Sequence, residues 1–407
     1  MNEWWGNSLN LAKLEPKKIL ERASKHIFST GVEDSATELC KANMQFGLAK
    51  MHLLQEDHGF EPDATFISSP DETITRNAGR WNQGIGYGGK ISWGTGKNKL
   101  LVLDVKPNAC GMLVGGIDEI PDPKKLLETI YNFEKEDTYI KNVKVKWDFN
   151  KGNHFIDIFK VEGSLVKMPD YLVIVHCGCP EMKTPNEAGP GLYFDYSSAL
   201  QQIYDKMDTP FGPIYSLSGE RAKEYYKFYE FADFYAKKRR EIAFKAFFDG
   251  NMICNKTHQG LINMNEIALG CHNVDDIKGL YPFSIRADLP SYLIRAKKNL
   301  THNQIEDLGF SERAEELGVY NKLAKANLLP HGGGYTLTDS LYVDKIFEVN
   351  KTRYFEVDMK DGMGKKIISD PRDVQYSYRG REVLLKTIDI GLGEEVTTLR
   401  PIYTLKV

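Results

Sequence analysis

The sequence predicts a mixed α/β fold, and three features of its pattern indicate this class. Apolar residues recur at helical spacing, with few helix breakers, over residues 16–24 and 35–55. From residue 65 to residue 116 the pattern changes to short β-type runs separated by glycines. A long amphipathic helix is then predicted from about residue 219 to residue 248.

Further strands are predicted at residues 99–105, 153–161 and 171–176. The aromatic residues of the long helix recur at three- and four-residue spacing, which favours a place in the core. The basic run that follows them, Lys237 to Arg240, is more typical of a solvated helix face than of a nucleic-acid contact. We expect a mostly helical N-terminal extension over residues 1–64 and one catalytic domain over residues 65–407.

The composition excludes several classes of protein. With 407 residues, 42% hydrophobic and 27% charged, the chain has the length and composition for a large core. Its apolar stretches are too short to cross a bilayer and its start lacks a signal-peptide pattern, so we expect a cytoplasmic protein without a membrane partner. The net charge of −3 argues against a generally basic surface but leaves room for a local basic groove. Six cysteines are sparse for this length and are expected to be reduced, buried or metal-bound.

One histidine stands directly before three glycines, in the segment Pro330-His331-Gly332-Gly333-Gly334-Tyr335. Glycine permits positive φ and close approach of backbone to a ligand, so a phosphate could reach this imidazole directly. The same segment could equally be an ordinary turn. Three further histidines at the edges of apolar or turn segments favour the first interpretation, namely His154, His176 and His258.

These histidines and Cys110 suggest a metal site. Thiolate and neutral imidazole are the ligands that Zn²⁺ and other borderline divalent ions prefer. Their spacing is not local, so each histidine could instead be a structural residue. The Cys177-Gly178-Cys179 pair could be a redox or zinc element, but two small buried thiols are the favoured interpretation.

The order of these motifs resembles that of the RtcB family of RNA-splicing ligases. That family carries D-x-x-C-G, G-N-H-F-x-E, H-S-G-S-R-G, an H-N motif after a long helix, and H-G-A-G-R. The corresponding segments here are Pro107-Asn108-Ala109-Cys110-Gly111, Gly152-Asn153-His154-Phe155-Ile156-Asp157, His176-Cys177-Gly178-Cys179-Pro180, His258-Gln259 and His331-Gly332-Gly333-Gly334-Tyr335. The ending Leu399-Arg400-Pro401 to Lys406 resembles the family's L-R-P-x-x-x-x-K-G, and the resemblance covers roughly residues 84–406.

The resemblance implies a mixed α/β fold with a central metal and nucleotide cleft, and an RNA ligase activity. Enzymes of this family join an RNA 3′-phosphate or 2′,3′-cyclic phosphate to a 5′-hydroxyl, using GTP and manganese. By position, His331 would attack the α-phosphate of GTP and become guanylylated. RNA ends, from tRNA or from cleaved RNA, would be the partners, and an activating protein is a further candidate.

The same resemblance implies ligand sets for two Mn²⁺ ions, with Zn²⁺ as an alternative metal. Cys110, His176 and His258 would hold one ion, and Cys110 would bridge to a second ion at His154. The implied nucleotide-binding residues are Asn153, Asp157, Gln259, Ser291, Gly332, Gly333, Gly334 and Lys406.

Several positions depart from the family pattern. The aspartate of D-x-x-C-G is Pro107, so the second metal lacks a carboxylate unless Asp104 or Asn108 replaces it. The arginines of H-S-G-S-R-G and H-G-A-G-R are Pro180 and Tyr335 here, and the family's P-D-x-H motif is replaced by the sequence of residues 80–84. Two alternatives therefore stay open. One is a metal-dependent nucleotidyltransferase or phosphate-processing enzyme with another acceptor, and the other is a non-catalytic, metal-stabilised module that binds RNA or protein.

Overall fold

The computed structural model describes residues 15–149, 152, 154–298, 300–362 and 364–406, and it shows a mixed α/β fold. The helices are α1 (Pro16–Lys25), α2 (Ser35–Asp57), α3 (Ala78–Asn82), α4 (Pro123–Glu134), α5 (Ser198–Gln201), α6 (Gly219–Phe247), α7 (His302–Asp307), α8 (Ser311–Glu316), α9 (Tyr320–Ala324) and α10 (Glu382–Asp389). The strands of the first half are β1 (Ile27–Phe28), β2 (Thr65–Thr73), β3 (Tyr87–Ser92), β4 (Leu100–Val102), β5 (Cys110–Ile117), β6 (Tyr139–Ile140), β7 (Val143–Lys144), β8 (Phe155–Ser164), β9 (Tyr171–Cys177), β10 (Asp205–Thr209) and β11 (Gly212–Ser218). Those of the second half are β12 (Gly250–Asn263), β13 (Glu266–Leu269), β14 (Cys271–Asn273), β15 (Leu280–Phe283), β16 (Ser291–Ala296), β17 (Leu328–Pro330), β18 (Tyr335–Leu337), β19 (Ser340–Val349), β20 (Thr352–Met359), β21 (Lys365–Ile368), β22 (Tyr376–Tyr378) and β23 (Gly393–Leu405).

The described part of the chain is organised around an 11-stranded sheet of order β1-β2-β3-β13-β12-β5-β9-β8-β23-β16-β15. Its first pair, β1 with β2, is parallel, and the other pairs in this sheet are antiparallel. Smaller sheets flank it, among them the ribbon β18-β22 and the meander β19-β20-β21. The strands at its centre are buried along most of their length, as expected for a sheet covered on both faces.

The helices predicted from periodicity are confirmed as α1, α2 and α6. The strand predicted at residues 99–105 is only partly correct, because β4 ends at Val102 and a 3₁₀ turn, Leu103–Val105, follows it. Within the described ranges, no helix combines the length and apolar character that a membrane crossing requires.

Helix α2 lies within the main hydrophobic core. Its Leu48 and Met51 belong to the same buried cluster as Phe66 of β2 and Leu101 of β4. Sixteen of its 23 residues are buried, so almost the whole circumference of this helix contacts protein. The cluster extends to α6, where Tyr225, Phe228, Tyr229 and Tyr235 confirm the prediction of core aromatics, whereas Phe234 is 47% exposed.

The basic run on α6 is a solvated face only at Lys237 and Lys238, which are 41% and 44% exposed, and the interpretation is wrong for Arg239 and Arg240. Both arginines are fully buried. The Arg240 guanidinium donates to the carbonyls of Ala109 (3.3 Å) and Cys177 (3.0 Å). The Arg239 guanidinium donates to the Gly178 carbonyl at 2.6 Å. Helix α6 therefore holds the start of β5 and the end of β9 by buried charge-assisted hydrogen bonds.

We expect Arg240→Met to lower the free energy of unfolding by about 3 kcal/mol, because it leaves two buried carbonyls without donors. Lys238→Met is the matched control on the same helix, since Lys238 is 44% exposed and should change stability by less than about 0.5 kcal/mol. Urea unfolding followed by circular dichroism measures both. Equal effects of the two substitutions would contradict the role given to Arg240.

Candidate functional site

Neighbouring strand ends bring the cysteine and two histidines together. Cys110 opens β5, and His176 is the penultimate residue of β9, which pairs with β5 in the register Met112↔His176. His258 lies in β12 at a bulge, because Thr257 pairs with Gly111 while Gln259 already pairs with Cys110. A bulge of this kind turns a side chain out of the regular alternation, and here it directs His258 toward β5 and β9.

The ligand atoms of this cluster are close enough to share one ion. Cys110 Sγ lies 3.2 Å from His176 Nε2, and His176 Nε2 lies 3.3 Å from His258 Nε2. All three ligand atoms lie within 4.8 Å of one another, and the three side chains are buried. Metal–ligand distances of about 2.0–2.3 Å would require little movement of these groups. The predicted set Cys110, His176 and His258 is therefore brought together.

His154 is the fourth member of the group and lies on the other side of the thiol. Its Nε2 is 3.6 Å from Cys110 Sγ, and its Nδ1 is 3.0 Å from a carboxylate oxygen of Asp148. Asp148 is buried and also forms an ion pair with Arg239 at 2.7 Å. A carboxylate on one ring nitrogen fixes the orientation of an imidazole whose other nitrogen binds metal.

The electrostatics of the cluster favour the thiolate form of Cys110. Burial raises the pKa of this thiol, but the imidazoles of His176 and His154 outweigh burial and hold the pKa well below its usual range. Burial lowers the pKa of His176, and it lowers the pKa of His258 well below the usual value. Burial also lowers the pKa of His154, but Cys110 and Asp148 raise it to about 10. The thiolate of Cys110 beside the neutral imidazoles of His176 and His258 is the protonation state that a divalent metal binds, whereas His154 would have to release a proton to become a ligand.

The loop before Cys110 is strained. Lys106 and Ala109 have positive φ angles of 46° and 51°, a region that residues with a Cβ rarely occupy. Asn108 accepts a hydrogen bond from the Cys110 backbone N–H at 3.0 Å through its Oδ1. Asp104 is buried against Lys50 at 3.4 Å, so it does not replace the carboxylate that the metal pattern lacks at Pro107. In this structure the carboxylate beside the cluster is Asp148.

His331 follows β17 and lies beside the cluster, with its ring centroid 4.4 Å from that of His258. Its Nδ1 is 2.8 Å from Oδ2 of Asp71, and its backbone N–H donates to the same oxygen at 3.1 Å. The Asp71 side chain is completely buried. A carboxylate acceptor favours the tautomer with the proton on Nδ1, which leaves the lone pair on Nε2. The side chain of His331 is only 12% exposed, so it is more enclosed than its glycine neighbours predicted.

The three glycines after His331 serve close packing as well as access. A Cβ at Gly332 would lie 2.3 Å from the Ser284 carbonyl, and one at Gly333 would lie 2.5 Å from the Arg379 carbonyl. Gly334 has a positive φ of 67°, and its Cβ would lie 2.6 Å from the Asp71 carbonyl. Each of these glycines therefore admits a neighbouring backbone segment, in addition to any room that it leaves for a ligand.

A cavity of about 900 Å³ joins these groups. Its wall includes the side chains of His154, His176 and His331, the glycine segment, and Asp157 opposite Thr404 and Lys406. Burial raises the pKa of Asp157 to about 7, against the opposing effects of Thr404 and Lys406. One carboxyl oxygen of Asp157, Oδ1, is buried without a hydrogen-bond partner in the described part of the chain. An orphaned acceptor in a cavity wall fits a ligand that carries an N–H donor.

The remaining predicted nucleotide-binding residues have other positions. The Gln259 amide lines the cavity but is already engaged: with its oxygen facing Arg80, it accepts from Nη1 at 2.6 Å and donates to the Tyr87 hydroxyl at 3.1 Å. Ser291 lies behind the wall, with its hydroxyl 3.2 Å from that of Ser284, which does line the cavity. Lys406 Nζ donates to the Gly152 carbonyl at 3.0 Å. Asn153 lies outside the described residues.

The sequence interpretation missed two carboxylates. Asp71 carried a usable signal, because Pro70-Asp71 matches the first two letters of the P-D-x-H motif that was instead sought at residues 80–84. Asp148 carried none, since it is one of many acidic residues and lies outside any strand or helix. The predicted buried thiols are confirmed, because Cys177 and Cys179 are both buried and free.

Comparison with known proteins gives no assignment. No protein-family model matches the chain, and no curated protein matches it either. What the site can do therefore follows from its donor set, which combines one thiolate and several imidazoles with a histidine that is held by a buried carboxylate.

We expect Cys110→Ala to weaken divalent-metal binding by at least about 10- to 100-fold, since even the loss of a group that supports a ligand has this effect. Cobalt titration followed by thiolate-to-metal charge-transfer absorption, with elemental analysis after dialysis, measures it. Cys254→Ala is the matched control, because Cys254 is a half-buried thiol on β12 that does not belong to the cluster. Equal metal content in both variants would rule out Cys110 as a ligand.

The raised pKa of Asp157 predicts a specific dependence of stability on pH. The folded-state pKa of Asp157, about 7, lies above its unfolded value. Between these two pKa values the folded state holds a proton that the unfolded state has lost, so the contribution of Asp157 to stability is lost as pH rises toward 7. The difference in unfolding free energy between the wild type and Asp157→Asn should therefore fall between about pH 4 and pH 7 and stay constant above that range. Asp170→Asn, at an exposed position, should give a pH-independent difference. A constant difference for Asp157→Asn would refute the prediction.

Proposed function

We propose that the protein is an RNA ligase of RtcB type, with the corresponding fold and a central metal and nucleotide cleft. It would join RNA 3′-phosphate or 2′,3′-cyclic phosphate ends to 5′-hydroxyl ends, using GTP and Mn²⁺. One observation carries this proposal: His331, held through Nδ1 by buried Asp71, lies beside the buried cluster of Cys110, His176 and His258 and shares a cavity wall with His176. The order of motifs along the sequence supports the same conclusion.

The geometry of His331 suits nucleophilic attack. The Nε2 lone pair would attack the α-phosphorus of GTP, so that a P–N bond forms, the bond to the bridging oxygen breaks and pyrophosphate leaves. Asp71 would stabilise the positive charge that develops on the ring, because its carboxylate accepts the Nδ1 proton. A divalent ion held by the cluster would supply charge neutralisation at the α-phosphate.

The guanylyl group would next pass to RNA. An oxygen of the RNA 3′-phosphate would attack the same phosphorus, and the P–N bond to His331 would break with the imidazole as leaving group. The 5′-hydroxyl of the second RNA end would then attack the activated 3′-phosphate, and GMP would leave. The proximity of His331 to the cluster lets both transfers at His331 occur in one enclosed site.

The part of the cavity wall at Asp157 and Lys406 would receive the guanine base. Asp157 offers its unpartnered Oδ1 to N–H groups of the base, and Lys406 lies beside it with donors for a base carbonyl. Ser291 would act only through Ser284, which separates it from the cavity. GTP is therefore the nucleotide that this wall favours.

A metal-dependent nucleotidyltransferase with another acceptor remains the second candidate. Tyr335 stands where the ligase family has an arginine, and its ring packs against Tyr378 and Tyr376 at centroid distances of 5.0 and 5.2 Å. This part of the cavity wall therefore presents aromatic rings, whereas the family pattern has an arginine there. The guanylyl transfer to His331 is common to both candidates, and only the acceptor differs.

We expect incubation with α-labelled GTP and Mn²⁺ to place an acid-labile label on the wild-type protein and none on His331→Ala. Asp71→Asn should slow labelling by at least about 100-fold, because it removes the carboxylate that orients and stabilises the ring. His302→Ala is the matched control, since this histidine is 69% exposed on α7 and should label like the wild type. Denaturing electrophoresis measures the label.

Three outcomes separate the candidates. Label on His331→Ala would exclude this histidine as the nucleophile. Label on the wild type without joining of RNA ends would favour another acceptor. No label with any nucleotide or metal would favour a metal-stabilised binding module.

A further inference from the structure

One arginine in the cavity wall has no partner for its charge. Arg76 follows β2, and within the described residues its guanidinium makes no hydrogen bond and no ion pair. Its contacts are with aromatic rings: Cζ lies 3.8 Å from the Tyr376 ring centroid and 5.9 Å from that of Tyr335. Its Nε is buried and unpartnered.

No neighbouring group in the described residues forms an ion pair with Arg76, although Arg372 and, to a smaller extent, Arg76 lower the pKa of the Asp370 carboxyl. The nearby carboxylate of Asp370 is held by Arg372, whose Nε donates to both of its oxygens at 2.9 and 3.0 Å. Arg286, elsewhere in the cavity wall, is engaged by two hydrogen bonds of 2.7 Å to Asp288. A half-buried cation without a counter-charge is unfavourable unless an anion joins it.

The tyrosines fix the plane of the Arg76 guanidinium. Strands β18 and β22 pair Tyr335 with Tyr378, and Tyr376 lies two residues before Tyr378 on the same face. A guanidinium that lies flat on a ring keeps its N–H edge free, and that edge matches two oxygens of a phosphoryl group.

The same elements place Arg76 near His331. The Thr73 hydroxyl donates to the Tyr335 carbonyl at 2.7 Å and accepts from the Tyr335 backbone N–H at 3.1 Å. These bonds tie the strand that carries Asp71 to the segment that carries His331. The Arg76 donors and the His331 ring therefore line one cavity.

We infer that Arg76, held flat on Tyr376, is a phosphoryl-binding group, and that it receives the terminal 3′-phosphate of an RNA end. This inference rests on the proposed function for the identity of the ligand. The phosphates of GTP offer the same chemistry, so the experiment has an arm for each source.

The main arm compares two short, fluorescently labelled single-stranded RNAs that differ only in a 3′-phosphate or a 3′-hydroxyl. Anisotropy titrations without GTP give the ratio of the two dissociation constants. We expect the wild type to prefer the 3′-phosphate by about tenfold, as one charge-assisted contact provides. Arg76→Gln should bring the ratio to about one. Arg286→Gln should keep the wild-type ratio, because its guanidinium is already occupied by Asp288.

Two further variants and a nucleotide arm complete the test. Arg76→Lys keeps the charge without the planar fork and should keep part of the preference, while Tyr376→Leu should weaken it with the charge still present. In the second arm, GTP binding is measured on the same proteins. Weaker GTP binding by Arg76→Gln, with an unchanged RNA ratio, would retain a phosphoryl site but assign it to the nucleotide.

The inference is overturned if Arg76→Gln keeps both the RNA preference and the GTP affinity of the wild type, or if the wild type shows no 3′-phosphate preference and Arg76→Gln binds GTP normally. Labelling of His331 is followed separately. If the wild type is labelled but Arg76→Gln changes neither RNA nor GTP binding, only this inference fails. If the wild type is not labelled but prefers the 3′-phosphate in a way that depends on Arg76, only the proposed ligase function fails. Melting temperatures of all variants confirm that they are folded.

Discussion

Two buried guanidinium groups on one helix hold the candidate site together. Arg239 and Arg240 donate hydrogen bonds from α6 to backbone carbonyls at the start of β5 and the end of β9, the strands that carry Cys110 and His176. A buried charge of this kind is tolerated only when acceptors surround it, so the helix and the strand ends must adopt one relative position. The strained loop before Cys110 persists for the same reason, because Arg240 binds the carbonyl of Ala109.

The cluster and His331 are electrostatically linked. The thiolate of Cys110 compensates for the imidazoles packed around it, and Asp148 and Asp71 each hold one histidine ring from outside. The two carboxylates therefore have parallel tasks: Asp148 directs a nitrogen of His154 to the thiol, and Asp71 leaves a nitrogen of His331 with a lone pair. His154 and His331 thus acquire different chemistry although both are imidazoles. The free nitrogen of His154 faces a thiol, whereas that of His331 keeps an unshared lone pair.

The sequence predicted some parts of this structure well and others poorly, for physical reasons. Periodicity located α2 and α6, since burial of a helix face is a local pattern. Ordered motifs predicted the cluster of Cys110, His176 and His258, which the structure brings together. The buried state of Arg240 could not be predicted, because a basic run has the same appearance whether water or carbonyl groups surround it. Asp148 was missed because its role depends on long-range packing, and local sequence carries no record of such packing.

The separation of the site residues along the chain also affects how the molecule must form. Asp71 and His331 are in direct contact although they are 260 positions apart in the sequence, and β23 is an interior strand between β8 and β16. Bringing such distant segments together carries a large loop-closure entropy before any contact compensates for it. During synthesis the sheet therefore stays in two parts until residues 393–405 have emerged, and the imidazole of His331 emerges from the ribosome long after the carboxylate of Asp71. A nascent chain would thus expose the edges of β8 and β16, and unpaired strand edges favour aggregation until β23 is in place.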